Sequence, residues 1–238
     1  MPTLMSHILH FGAPFLSAWV TSSVAFAAGD APKGSANETE MSFVGDWSAT
    51  GSGCRGAKGS SEGNTTLLVR PPGGALPSTW TLVLQPSDFR LVSPLPRGQE
   101  KTTLTFAKEC SLRLALLPDS RVRIRNVTAS TRLRVGKGTG TKAWTLAELQ
   151  LGNLAIARHR ADYGANEAVS GRVQEVRLIP GRTSLETMPE TKCGQAKVLG
   201  LDLILAAERA TENDRVDAGF EGESAVEILV DVAPCGPS

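Results

Sequence analysis

Apolar residues recur at every second position along most of this 238-residue chain, a period that suits strands with one buried face and not helices. Trp80, Leu82 and Leu84 alternate with polar neighbours, as do Leu112, Leu114 and Leu116. Val122 and Ile124 alternate with Arg121, Arg123 and Arg125, and Val173 and Val176 mark a less regular strand. Leu149 and Leu151 meet Leu154 and Ile156 across Gly152-Asn153, a pair suited to the positive φ of a tight hairpin turn. Trp144 to Gln150 is the best helical candidate, but it is short and runs into that turn, so a strand fits it better. Leu199, Leu201, Leu203 and Leu205 then alternate, and Val226, Ile228, Val230 and Val232 follow after the acidic stretch Glu208 to Glu223. These last two runs read as the arms of one hairpin centred near Asp214. Short strands separated by Gly and Pro turns predict an all-β fold, an antiparallel β-sandwich.

The N-terminus and the cysteines set the compartment. Residues 1–27 carry no charged side chain and end in Ala25-Phe26-Ala27, small residues at the positions that signal peptidase accepts. A signal peptide over 1–27, a disordered spacer over 28–41 and a single β-sandwich domain over 42–238 are expected. The destination is extracellular, at the cell surface or in the periplasm, with no membrane span after cleavage. In an oxidising compartment the four cysteines, Cys54, Cys110, Cys193 and Cys235, predict two disulfides. None lies in a CxxC or near a His at ligand spacing, which argues against zinc and thioredoxin-type chemistry. The hairpin register places Cys193 opposite Cys235, leaving Cys54 with Cys110.

The ordered features resemble a known family. They are Gly51-Ser52-Gly53-Cys54 with Gly59-Ser60, a strand ending in Asp88-Phe89, Lys108-Glu109-Cys110-Ser111-Leu112-Arg113-Leu114, Cys193-Gly194 before the Leu-alternating strand, and Cys235 closing the last one. From Phe43 to Cys235 this is similar to the secreted four-cysteine proteins filed as domain of unknown function 4360. The resemblance implies a secreted β-rich domain and transfers no catalytic residue.

Residues that would carry catalysis are sparse. The mature chain has one histidine, His159, in Ala157-Arg158-His159-Arg160-Ala161-Asp162-Tyr163. A secreted hydrolase would use His159 as base and Asp162 as its orienter, yet no Gly-x-Ser-x-Gly elbow singles out a nucleophile. Gly136 to Lys142 lacks the phosphate-loop spacing and reads as a loop between strands. Asp214, Asp217, Glu221 and Glu223 offer oxygen ligands for calcium but not in EF-hand order, so no cofactor is expected.

Charge is the more informative feature. The formal total is only +1, which gives no reason to expect a nucleic-acid partner. Yet residues 113–142 carry eight Arg or Lys against Asp119 alone, a net of +7. Residues 201–231 carry nine Asp or Glu against two Arg, a net of −7. The two segments would pair across strands, or join one molecule head to tail with the next by self-association. Alternatively Arg121, Arg123, Arg125, Arg132 and Arg134 form an anion-binding ribbon for an acidic extracellular polysaccharide. The sequence therefore predicts a secreted, non-catalytic binding or structural module.

Overall fold

Every period-two stretch becomes a strand, and the strands pair antiparallel throughout. The computed structural model describes residues 43–58, 60, 63–73, 76–86, 88–93, 105–182, 188–211, 214–221 and 226–236, all within one unit, Glu40–Ser238. The expected signal peptide, the spacer, and Glu212 and Glu223 lie outside the described residues. The first sheet runs β2 (Gly56–Ala57), β1 (Val44–Thr50), β6 (Thr105–Leu116), β11 (Lys197–Arg209), β8 (Thr141–Leu151), β9 (Leu154–Tyr163). The second runs β3 (Thr65–Arg70), β4 (Ser78–Pro86), β13 (Val226–Pro234), β7 (Val122–Lys137), β12 (Val216–Phe220), β5 (Arg90–Ser93), with β10 (Val169–Leu178) also on β7. β13 and β12 pair with successive stretches of β7, opposite the side that β10 occupies. They therefore lie end to end beside it. β4 and β5 do the same on their far side.

The core forms where the inner faces meet. Leu82 and Leu84 of β4, Leu112, Leu114 and Leu116 of β6, Leu199, Leu201 and Leu205 of β11, and Ile228 and Val230 of β13 are each no more than 1% exposed. Burying each such side chain contributes about 1.5–3 kcal/mol. Trp144 to Gln150 belongs to β8, as the strand reading expected.

The sequence is right about the disulfides and wrong about the hairpin. Cys54–Cys110 and Cys193–Cys235 both form, with Cα separations of 5.1 and 6.2 Å. β11 and β13, however, are not neighbours: β11 lies between β6 and β8, and β13 between β4 and β7 of the other sheet. Alternation records that one face is buried without saying whether a similar strand lies beside it or across the core. The segment before β11 runs along the start of β7, where Thr191 Oγ1 donates to Ile124 O at 2.6 Å and Gly194 N to Val122 O at 3.0 Å. Cys235 N donates to the adjacent Arg121 O at 2.8 Å, so Cys193 and Cys235 meet there.

The β8–β9 hairpin does turn at Gly152-Asn153 as expected. Gly152 has φ +64°, and a Cβ there would meet nothing within 4 Å, so the need for glycine is purely conformational. Gly152→Ala is expected to lower stability by about 1–2 kcal/mol. Gly73→Ala, where a Cβ is equally unobstructed, serves as the control in urea titrations.

Candidate anion-binding groove

β7 carries the predicted arginine ribbon, and its shape depends on one irregularity. Arg123 and Arg125 are odd-numbered whereas Arg132 and Arg134 are even-numbered, so an unbroken strand would place the two pairs on opposite faces. The β13 register slips between Asp231 and Val232, which face Asn126 and Ile124. Ile124 and then Val127 point inward, and Arg125 and Asn126 are both left out of the core. This bulge re-aims the rest of the strand. Arg123, Arg125, Arg132 and Arg134 consequently all emerge on the outer face and are exposed.

They form two groups, because Arg125 and Arg132 are about 23 Å apart along the strand. Near the start, Arg121 is held by Asp119 in the preceding turn at 3.3 Å, and Arg123 lies 3.6 Å from Glu190. The backbone N–H of Arg121, first, and its guanidinium hold the Asp119 carboxyl below its ordinary value. Arg125, Arg132 and Arg134 form no ion pair among the described residues.

Arg134 borders a groove of about 520 Å³, lined also by Val92 of β5, Gly136 of β7, Gly171 of β10, Asp217 of β12 and Arg215. Two glycines, Gly136 and Gly171, adjoin in its lining. The β10 register slips between Val169 and Arg172, and Gly171 sits in that slip with φ +57°. A Cβ on Gly171 would come within 2.9 Å of Nε and Nη2 of Arg134, so the guanidinium lies over this glycine. A Cβ on Gly136 would come 3.3 Å from Gly171 N, so the two strands approach closely there. Arg215 also forms no ion pair among the described residues.

The acid in the groove is already engaged. Arg90 grips Asp217 with two hydrogen bonds, Nε to Oδ1 at 2.9 Å and Nη2 to Oδ2 at 2.8 Å. These bonds hold the Asp217 carboxyl below its ordinary value against the opposing effect of burial, and the charges of Arg90 and Arg134 add to them. A depressed carboxylate adds stability that is present above the unfolded value, about 3.9, and lost as pH falls through the folded value. Asp217→Asn should therefore leave a shallower loss of stability below about pH 4. The difference should stay within about 1 kcal/mol because the Asp217 side chain is 59% exposed. Urea titrations at stepped pH measure it, and parallel acid limbs would contradict it.

The wall next to Gly171 is pinned by Lys137. This side chain points inward, is 4% exposed, and donates from Nζ to Glu167 O and to Gly138 O. Burial pushes its ammonium below the ordinary lysine value, opposed by the charge of Glu167.

The remaining candidates are separated. His159 faces inward, its Nε2 2.7 Å from Gln174 Nε2 of β10, and Tyr163 Oη donates to Gln174 Oε1 at 2.5 Å. Asp162 faces outward and takes three contacts from Arg160, the shortest 2.8 Å. Residues three apart share a helix face but stand on opposite faces of a strand. His159 is thus not joined to the orienter assigned to it.

Of the candidate calcium ligands, Asp217 is held by Arg90, and Asp214 accepts from Thr211 N at 2.8 Å. Among the described residues no three His, Cys, Asp or Glu converge as a metal site. The oppositely charged segments do lie side by side in part. Arg113–Asp202 at 2.9 Å and Lys142–Glu208 at 3.7 Å join them across the first sheet.

Sequence reasoning found Arg132 and Arg134 but missed Arg215, Val92 and Gly171. A glycine in the least regular strand was the one available signal for the bulge.

No family model matches the chain, and no curated protein matches it. Among solved structures it is similar to TmCBM61 in complex with β-1,4-galactotriose, at 8% identity and TM-score 0.25, over 76% of this chain and 86% of that one. It is also similar to a family 11 carbohydrate-binding module from Clostridium thermocellum in complex with a β-1,3-1,4-mixed-linked tetrasaccharide. That match has 8% identity and TM-score 0.19, over 80% of this chain and 88% of the other. At these scores the likeness carries no inference for this chain. The chain folds as an antiparallel β-sandwich stapled by two disulfides.

Proposed function

We propose that the chain is a secreted, non-catalytic binding module whose groove holds an acidic polysaccharide. The observation that carries this reading is the groove at the end of β7, which Arg134 and Arg215 both line and where neither forms an ion pair among the described residues. Guanidinium groups form charge-assisted, often bidentate hydrogen bonds to carboxylates and sulfates. Gly136 and Gly138 add no side chain to the groove, which leaves room for a sugar ring beside the guanidinium groups, and Val92 supplies an apolar flank. Both disulfides fit an oxidising destination, in keeping with the secreted β-rich domain that the four-cysteine resemblance implies.

The test is binding of polygalacturonate, alginate and heparin over a salt series. Binding to at least one, weakening steadily as salt rises, is expected. Failure to bind all three, or binding that ignores salt, would overturn the reading.

A further inference from the structure

The outward-facing positions of the first sheet carry a pattern that its solvent exposure does not call for. On β8 they read Lys142, Trp144, Leu146, Glu148, Gln150, and on β11 they read Gly200, Asp202, Ile204, Ala206, Glu208. Cross-strand register sets Ile204 beside Leu146 and Ala206 beside Trp144. Four apolar side chains thus form a contiguous tile at the middle of an outer face. Trp144, Leu146 and Ile204 are half-buried. Ala206 is only 2% exposed yet stands outside the inter-sheet core. Its cross-strand neighbours are Ala107 and Trp144, of which Trp144 is the larger.

Closed ion pairs frame the tile. Lys142–Glu208 borders one end, and Arg160–Asp162, at 2.8 Å, borders the β9 side. At the other end Arg113 Nη1 donates to Asp202 Oδ1 at 2.9 Å, Ser111 Oγ to the same oxygen at 2.5 Å, and Gln150 Nε2 to Asp202 Oδ2 at 3.0 Å. Gln150 Nε2 also donates to Glu148 Oε1 at 2.8 Å, and Arg158 pairs with Glu148. Gly200 keeps this end low: a Cβ there would come within 3.1 Å of Gln150 Oε1.

Charge and area select the occupant. Each cation of the frame faces its own carboxylate, and Glu109 of β6, opposite Ile204, adds a negative charge, so the face has nothing to draw a polyanion or an anionic membrane. Strand spacing makes the tile roughly 100–150 Å². A second copy of the chain would need a total interface of about 1,200 Å² or more to stay bound. A sugar ring offers what this surface can use: an apolar C–H face for the indole, and equatorial hydroxyls for the oriented amide, guanidinium and carboxylate groups.

We propose that the outer face of the first sheet is a second binding site, centred on Trp144, for a neutral polysaccharide. It is independent of the arginine groove, which occupies the outer face of the other sheet.

The experiment titrates the full chain with cellohexaose, xylohexaose, mannohexaose and β-1,4-galactohexaose, following tryptophan fluorescence and calorimetry. Saturable binding of at least one, insensitive to salt, is expected. Trp144→Ala should weaken it by about tenfold or more, and Arg134→Glu should leave it within about twofold. Leu146→Lys, which disturbs the tile while leaving the indole in place, should also weaken it and serves if Trp144→Ala does not fold. Absence of binding to all four, or binding unchanged in a folded tile variant, would overturn the proposal. Polygalacturonate binding by the same variants reports separately on the groove.

Discussion

Replacing Cys54 and Cys110 together by alanine is expected to remove about 3–5 kcal/mol of stability, more than most single core substitutions. The bridge closes a loop of 56 residues, for which chain-entropy reasoning gives about 4 kcal/mol. Both cysteines are buried, at 1% and 2% exposed, so their loss also thins the packing around Phe89, Leu112 and Ala49 in the shared core. Cys110 belongs to β6, the strand that joins β1 to β11, while Cys54 fixes the chain between β1 and β2. Gly53 N donates to Glu109 O at 2.8 Å beside the bridge, holding the same connection by backbone. For a domain whose net stability is about 5–15 kcal/mol, losing the bridge would take a large share. Urea unfolding of the double variant, compared with the parent, measures the effect. A change under about 1 kcal/mol would show that the backbone contacts alone hold this edge.

The strands were legible because each has one face in the core, and alternation reports that directly: β4, β6, β8, β9, β11 and β13 fall where their Leu, Val and Ile residues alternate. The hairpin at Gly152-Asn153 was legible because turn chemistry is local. The pairing of β11 with β13 was misread because a period of two is the same for strands side by side and for strands facing each other across the core. The cysteine partners came out correctly all the same, since oppositely directed strands bring Cys193 and Cys235 to one end in either arrangement.

The groove was half legible. Arg132 and Arg134 stand out as charge, but their common face with Arg123 and Arg125 depends on a bulge between Ile124 and Val127 that no residue type announces. Gly171, Arg215 and Val92 come from three separate stretches of the chain, and only the fold brings them together. The tile around Trp144 was hidden for a related reason. Trp144, Leu146, Ile204 and Ala206 read as ordinary strand residues until register places them side by side on the outer face.

Arg134→Glu is the second large expected effect. The guanidinium lies over Gly171 at the centre of the groove, with Arg215 and Asp217 also lining it. Losing a charge-assisted hydrogen bond costs about 1.5–3 kcal/mol, and the new carboxylate would repel an anionic ligand. Affinity should fall about 10- to 100-fold or more. Arg134 is exposed and forms no ion pair among the described residues, so the fold should tolerate the change. Arg70→Glu makes the same change of net charge on β3, at the far edge of the same sheet from β10. It therefore separates a local contact from the field of the whole protein.

The most direct measurement is calorimetric titration of the acidic polysaccharide that the parent binds best into the parent, Arg134→Glu and Arg70→Glu at one fixed ionic strength. The groove reading predicts that Arg134→Glu loses at least tenfold in affinity while Arg70→Glu stays within about twofold. Equal losses in the two variants, or none in either, would contradict it.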